Sequence, residues 1–284
     1  MIEAPIQRYA DLHLHTRCSD GTYSPEQLVE AARHCGFAAI AVTDHDSVEA
    51  CTEVAALCQL ANIEFLSGVE LTAEHQGNEL HFLGYCVDVH HPVLLENLAK
   101  FQAVRQNRIL QMVGLINHLD VPLMADDVFA LANCRSPGRL HVGRALVKGG
   151  FCANQDEAFD RFLRRNRPAW VPKYKISALE AIQLIHLAGG VAVMAHPGLN
   201  RDNSSLPEIA MAGLDGLECY HSKHSPSATT KFLDFARGHN LLITGGSDCH
   251  GRSKDKPTMG SVKLPYEHIE KLKSWVYSRN SKMA

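Results

Sequence analysis

No run of 18 apolar residues occurs in the 284-residue sequence, so it offers no hydrophobic helix able to cross a membrane. The opening Met1-Ile2-Glu3-Ala4-Pro5 lacks the charged-then-apolar profile of a secretory signal, and a cytoplasmic location is the expectation. Cysteine is present without a pattern: nine residues, an odd number, are scattered from Cys18 to Cys249 with no C-x-x-C pair. Neither a disulfide framework nor a zinc knuckle is indicated, which leaves reduced, mostly buried thiols. The G-x-S-x-G elbow, the P-loop and the dinucleotide fingerprint are all missing, and with them the sequence signs of serine-hydrolase, nucleoside-triphosphatase and dehydrogenase chemistry. No internal repeat or low-complexity segment is visible.

What is abundant is histidine, at 17 copies. With 45% hydrophobic and 21% charged residues the chain reads as one large globular domain with an insertion. The net charge of -3 hides a division. Between Lys100 and Lys175 there are 13 lysines and arginines against 6 acids, while the remainder holds 15 against 25. An acidic remainder suits a protein that holds cations, and a basic segment laid over it suits an anionic substrate.

Strands and helices alternate along most of the chain. A strand over Tyr9–His15 precedes a capping box, Ser24-Pro25-Glu26-Gln27, and Gly36 closes the helix that follows. Strands are predicted over Phe37–Thr43, Phe65–Leu71 and Glu79–Tyr85, with a helix over Ser47–Ala61 and a polar turn at His75–Asn78. The alternation then breaks into helical segments over Pro92–Asn117, Asp126–Asn133, Arg139–Lys148 and Gln155–Arg164. It resumes with a second capping box at Ser177–Glu180, a helix to Ala188, strands over Val191–Ala195, Gly216–Tyr220 and Leu241–Thr244, a helix over Ala228–His239, and a closing amphipathic helix over Tyr266–Arg279.

Such alternation argues for parallel strands with crossover helices, as a closed barrel or an open doubly wound sheet. The polar residues favour the barrel. His15, His45, Glu70, His81, His196 and Asp248 each lie at or just beyond a separate strand end, as a barrel active site requires. In an extended strand residues two apart share a face, so His13 and His15 both point to the mouth; Asp248 and His250 repeat this only if the chain stays extended past Ser247. Imidazole with carboxylate suits manganese, iron or zinc, and one carboxylate can bridge two cations. Asp44 and Asp46 flank His45 as supporting or capping groups, and Cys249 points away from its neighbours. His34, His90, His91, His118, His186, His239 and His268 show no matching spacing.

Five motifs now stand in order: Asp11-Leu12-His13-Leu14-His15 with Ser19-Asp20-Gly21, Thr43-Asp44-His45-Asp46, Gly68-Val69-Glu70, Ala195-His196-Pro197-Gly198 and Gly246-Ser247-Asp248-Cys249-His250. Together they resemble the polymerase and histidinol phosphatase family of metal-dependent phosphoesterases. The resemblance implies a distorted seven-stranded parallel βα barrel, TIM-like, formed by residues 1–99 and 171–284, with a helical insertion over 100–170 covering the active site. It also implies two to three divalent ions, manganese first, with zinc or iron(II) as alternatives. By the same resemblance His13, His15, Glu70 and Asp248 are ligands of one ion, Glu70, His81 and His196 of a second, and Asp20, His45 and His250 of a third. Glu70, Asp20, His45 and His250 are thereby the catalytic positions. A phosphomonoester would be hydrolysed by hydroxide generated between two ions sharing Glu70, with no phosphorylated side chain.

The branch this chain looks like removes the 3′-phosphate from nucleoside 3′,5′-bisphosphates, and some of its members trim short oligoribonucleotides from the 5′ end. A nucleotide is therefore the expected partner, with short RNA as an alternative and no membrane or obligate protein partner. The phosphate-holding residues are expected to be Asn107, Arg108, Arg135 and Ser136, then Lys175 and His224, because arginine forks and a serine-containing turn at a helix start match phosphate oxygens. Arg135→Ala is expected to weaken activity on bisphosphates far more than on a simple aryl phosphate. The alternatives are a 5′-to-3′ exoribonuclease, a histidinol-phosphate phosphatase, and a non-catalytic metal-bound accessory module.

Overall fold

A computed structural model describes residues 7–200, 202–252 and 258–283. Residues 1–6, whose composition argued against a secretory signal, lie outside the described residues. No helix among the described residues is long and apolar enough to cross a membrane.

The first strand, β1 (Tyr9–Leu14), leads to α1 (Pro25–His34), where the Ser24 side chain accepts from Gln27 N and Gln27 reaches back to Ser24 N, the reciprocal cap its sequence announces. Next come β2 (Ala39–Val42), α2 (Cys51–Ala61) and β3 (Glu64–Leu66). Strand β4 (Gly68–His75) turns back into β5 (Asn78–Tyr85) through Gln76 and Gly77, both at positive φ as a two-residue hairpin requires. Four helices follow: α3 (Pro92–Asn117), α4 (Ala125–Ala132), α5 (Arg139–Lys148) and α6 (Gln155–Ala158), which runs on into a π-helical turn at Phe159–Leu163. The chain closes with β6 (Ile176–Ser177), α7 (Ala178–Leu187), β7 (Val191–Met194), α8 (Leu206–Met211), β8 (Gly216–His221), α9 (Pro226–Gly238), β9 (Leu242–Gly246), β10 (Leu264–Pro265) and α10 (Glu267–Met283).

These strands form two mixed sheets, in the orders β10-β1-β2-β3 and β6-β4-β5-β7-β8-β9. The expectation of seven parallel strands is corrected here. β5 runs against both neighbours, and β10 runs against β1. Only Gln76 and Gly77 separate β4 from β5, whereas a parallel neighbour needs a crossover of about a dozen residues or more. The strand predicted over Phe65–Leu71 is also broken at Ser67, so β3 and β4 belong to different sheets. Single-residue parallel bridges, His45 with Glu70 and Leu14 with Cys249, join the two sheets.

Four apolar clusters support this frame. The largest packs β4, β5, β7 and β8 under α7 and α9, with Val69, Phe82, Ile185 and Phe232 buried. A second holds α1 and α2 against the outer side of the first sheet through Leu28, Val54 and Leu14. A third lies among Leu12, Ala39, Ala41, Leu83, Tyr85 and Val193, and Ile269 and Leu272 of α10 pack into it. The helical segment has its own cluster of Ile109, Met112, Ile116, Leu146, Phe162 and Leu163. Helix α3 serves two cores: Leu94, Leu98 and Phe101 face the main one, and Ile109 onward faces the helical one.

A bulge in β1 bears directly on the site. Ala10 and Leu12 belong to the inner cluster, yet Leu14 belongs to the outer one, because the β1–β2 register shifts between Asp11 and Leu14. Near that shift β1 meets the end of β9, where Gly246 admits no side chain: a Cβ would sit 2.3 Å from that of His13.

Candidate metal centre

Several strand ends that carry the polar motifs stop abruptly. Asp46 after β2, His196 after β7 and Asp248 after β9 all have left-handed backbones, with φ of 48°, 28° and 54°. Each turns the chain across the strand ends. For Asp248 the condition of an extended chain past Ser247 is not met, and Asp248 and His250 reach the site from a turn instead.

The side chains converge on Glu70, a buried carboxylate in β4. Its Oε1 lies 2.7 Å from His81 Nδ1 and 3.2 Å from His196 Nε2. Its Oε2 lies 3.1 Å from His45 Nδ1, 3.3 Å from His15 Nε2 and 3.5 Å from His13 Nε2. Asp248 Oδ1 stands 3.3 and 3.6 Å from the same two nitrogens of His15 and His13. On the other flank Asp20 Oδ1 is 3.2 Å from His250 Nε2, and the Asp20 carboxylate is 4.0 Å from both His15 and His45. All nine residues expected as ligands are thus brought together, with His13, His15 and Glu70 as the floor.

Electrostatics in this cluster are unusual for a buried place. Burial alone would raise the Glu70 carboxyl, but His45, His81 and His13 outweigh it and hold it well below the ordinary range. The same contest holds Asp20 down through His250 and His45, and Asp248 down through His13 and His15. His250, though burial works against its charge, is raised to about 10 by Asp20. His45 and His196 are lowered, chiefly by burial.

Many of these atoms converge without pairing. His13 Nε2, both nitrogens of His15, His45 Nδ1, Glu70 Oε2, Asp20 Oδ1 and His196 Nδ1 are buried and make no hydrogen bond among the described residues. Buried polar atoms left unpaired cost free energy, and so many in one place call for a shared partner. Groups of three or four donor atoms within 4.8 Å of one another occur at His15, Asp20, His45 and His250; at His13, His15 and Asp248; and at His45, Glu70 and His81. The mixture of imidazole and carboxylate fits divalent transition-metal ions.

Supporting contacts hold the donors in place. Asp44 accepts from Thr16 N, Thr16 Oγ1 and Ser19 Oγ, fixing the loop that carries Asp20. Asp46 binds Arg105 Nε at 2.6 Å, and its carbonyl accepts from Gln102, which ties α3 to the His45 turn. Arg144 donates to the Asp20 carbonyl at 2.9 Å, and Cys134 Sγ lies 3.1 Å from that of Ser19, so the helical segment grips the same loop. Asp11 accepts from Ser247 N at 2.8 Å across the seam between β1 and β9. Cys249 packs in the outer cluster.

The residues expected to hold phosphate are divided. Arg108 is buried and donates to the Val171 carbonyl, and burial lowers it to about 9, still cationic at neutral pH. Lys175 lies 3.4 Å from Glu74 and from Glu79. Both line a cleft of about 440 Å³ that reaches His81 and His196 and also includes Arg139, Arg165, Lys173 and Trp170. The other four are not among its lining residues. Asn107 is exposed on α3, and Arg135 is 75% exposed beside Glu49. Ser136 is buried with an unpartnered Oγ. His224 donates through Nδ1 to the Cys219 carbonyl and accepts at Nε2 from Gly198 N, so it has no free N–H for a phosphate.

Sequence reasoning passed over Arg105, Arg139 and Lys173 as individuals, and also Glu218 and His221. A charged residue inside the buried strand Gly216–His221 was the available signal for Glu218.

Known proteins place this geometry. The PHP domain pattern matches residues 11–121. A 5′-3′ exoribonuclease, Rnm, of Salmonella typhimurium is 32% identical over 248 residues, covering 84% of each chain. This chain belongs to the PHP family. Another PHP relative, a 3′,5′-nucleoside bisphosphate phosphatase of Chromobacterium violaceum, is 32% identical over 248 residues, 84% of this chain and 86% of that one. A solved structure from Bifidobacterium adolescentis, provisionally assigned as a metal-dependent phosphoesterase, superposes with a TM-score of 0.86 at 32% identity over 95% of this chain and 96% of its own. PHP membership makes the chain a phosphoric-ester hydrolase, and the convergent donors are groups of the kind that can hold metal ions.

Proposed function

We infer that the protein hydrolyses the 3′-phosphate of nucleoside 3′,5′-bisphosphates, releasing phosphate and a nucleoside 5′-monophosphate. The observation that carries this reading is the cationic cleft beside the metal centre. His81 and His196 lie in its lining, and Arg108, Arg139, Arg165, Lys173 and Lys175 outnumber the carboxylates of Glu74 and Glu79 there, so the cleft keeps a net positive charge for a second phosphate. A substrate with a second phosphate uses both parts of such a site.

Two or three divalent ions, manganese first, fit the nine converging donors, and when bound they supply Lewis acidity that activates water and neutralises phosphoryl charge. The chain's own residues do the rest. Glu70, kept ionised by its histidines, holds donors of both flanks about one carboxylate, while Asp20, His45 and His250 form the outer flank toward the helical segment. Helices of residues 100–170 cover this mouth and bring Arg108, Arg139 and Arg165 to it, and Lys173 and Lys175 follow from the barrel side. The two single-residue bridges close the sheets into a distorted barrel with the centre at its rim. Nine free cysteines suit a reducing, cytoplasmic setting.

A second reading, 5′-to-3′ cleavage of short oligoribonucleotides, is favoured by the size of the cleft and by Trp170 on its wall, a platform for a stacked base. Both readings are tested by phosphate and nucleotide release from adenosine 3′,5′-bisphosphate, AMP, histidinol phosphate and a 5′-phosphorylated trinucleotide, with protein stripped of metal and with Mn²⁺ restored. Manganese-dependent turnover of the bisphosphate above the others is the expected result. Preference for histidinol phosphate, or no turnover of any, overturns it. In ¹⁸O-water a single turnover should place solvent oxygen in the released phosphate.

A further inference from the structure

Strand β8 sends two polar side chains inward from positions that a regular strand would divide between its faces. Glu218 and His221 are three residues apart, so strict alternation would turn one of them outward. The β8–β9 ladder shifts register between Glu218 and Tyr220, and this bulge restores the phase. Glu218 and His221 are both buried, and Tyr220 between them remains half-buried beside His268.

Both oxygens of Glu218 are engaged. Oε1 lies 3.0 Å from His13 Nδ1, and Oε2 accepts from His196 N at 2.7 Å. An ionised carboxylate can only accept, so His13 carries a proton on Nδ1, and its Nε2 is the atom presented to Glu70 and Asp248. The second contact holds the His196 backbone at a φ of 28°, a conformation that a side-chain-bearing residue rarely keeps unaided. His221 accepts at Nδ1 from Lys223 N at 3.2 Å, which places its ring proton on Nε2; that atom is buried without a hydrogen bond among the described residues and faces Asp248 Oδ2 at 3.5 Å. The opposite oxygen of Asp248 faces His13 and His15. His13, Glu218 and His221 also bring three donor atoms within 4.8 Å of one another, but His13 Nδ1 and Glu218 Oε1 are engaged with each other, which leaves Glu218 to support His13.

We propose that Glu218 and His221 are a positioning pair for the metal centre. Glu218 fixes the tautomer of His13 and the backbone turn of His196, so one carboxylate registers a donor from each side of Glu70. His221 orients Asp248. Neither residue touches substrate; both act through the donors they hold, as hydrogen-bonded partners of metal-binding histidines do.

This rests on the metal reading above, and the test separates the two. Mn²⁺ binding to the metal-stripped wild type, Glu218→Gln and His221→Gln is measured by titration calorimetry, with thermal unfolding of the same metal-free samples. Gln at position 218 keeps the shape but turns one acceptor into a donor facing another donor. Glu218→Gln is expected to bind Mn²⁺ about 10- to 100-fold more weakly at the tightest site, His221→Gln less so, with both still folded and unfolding cooperatively above the titration temperature. Wild-type protein that binds no Mn²⁺ defeats the metal reading. Wild-type protein that binds it while Glu218→Gln binds equally well defeats the positioning role alone. Should Glu218→Gln not fold, ¹⁵N spectra of zinc-loaded wild-type protein decide: a His13 proton on Nδ1 supports the proposal, and one on Nε2 overturns it.

Discussion

The rim of imidazoles and carboxylates and the helical segment that faces it line one mouth, but they are built on opposite terms. In the rim, short side chains on strand ends converge with many of their lone pairs unpartnered, and the strand ends together with buried supporting contacts set their spacing. In the helical segment and the irregular stretch that follows it, long side chains already have partners: Arg108 on the Val171 carbonyl, Arg139 on that of Leu163, Lys173 on Glu79 and Arg135 on Glu49. A rigid constellation suits chemistry, whose geometry is fixed. Long cations that can exchange one partner for a phosphate suit recognition, whose geometry varies with the ligand.

That contrast can be broken most sharply at Glu70. Glu70→Gln should lower phosphate release more than about 100-fold on every substrate, and metal removal should do the same, because both act on the shared rim. A loss confined to nucleotide substrates would move Glu70 into recognition. Next in size, Arg139→Ala should cost about 10- to 100-fold in kcat/KM on the bisphosphate, the worth of about 1.5–3 kcal/mol for a charged hydrogen bond, and leave an aryl phosphate nearly unchanged. Equal losses on both substrates would remove Arg139 from the phosphate-holding set.

A smaller effect is expected with pH. Burial pulls Lys173 down to about 8, against the pull of Glu79 and helped by Arg105 and Arg139. Its charge is therefore present at pH 7 and lost as pH rises through about 8, so KM for the bisphosphate should climb several-fold between pH 7 and 9. Lys173→Arg, which stays charged, should flatten that rise. The mildest change is expected at Arg135, whose ion pair with Glu49 lies in solvent where such pairs are worth about 0–1 kcal/mol. Arg135→Ala should still lower bisphosphate turnover selectively, by a few-fold, and comparing it with Arg139→Ala maps how far the cationic region extends.

The rim was legible because its information is local. Two histidines spaced by one residue on a strand need only the two-residue period to be read as facing one mouth, whereas the full donor set was reached through the family resemblance. The capping boxes at Ser24 and Ser177 were readable for the same reason, each a contact across three residues. What escaped depends on partners distant in sequence. The break at Ser67 between β3 and β4 is a change of sheet, and β10 exists only as a partner of β1. Glu218 and His221 were hidden by a register shift that period-two reasoning cannot see. Arg135 and Arg139 look equivalent in the sequence, yet folding leaves one in solvent beside Glu49 and turns the other into the cleft.

The seam where Asp11 receives Ser247 N joins residues 236 positions apart, and the floor of the centre lies beside it. Closing so long a loop is entropically costly and comes late in folding. No N-terminal fragment emerging during synthesis can hold the full donor set, since Asp248 and His250 come last. The full set of converging donors is thus assembled only once the chain has been made past residue 250.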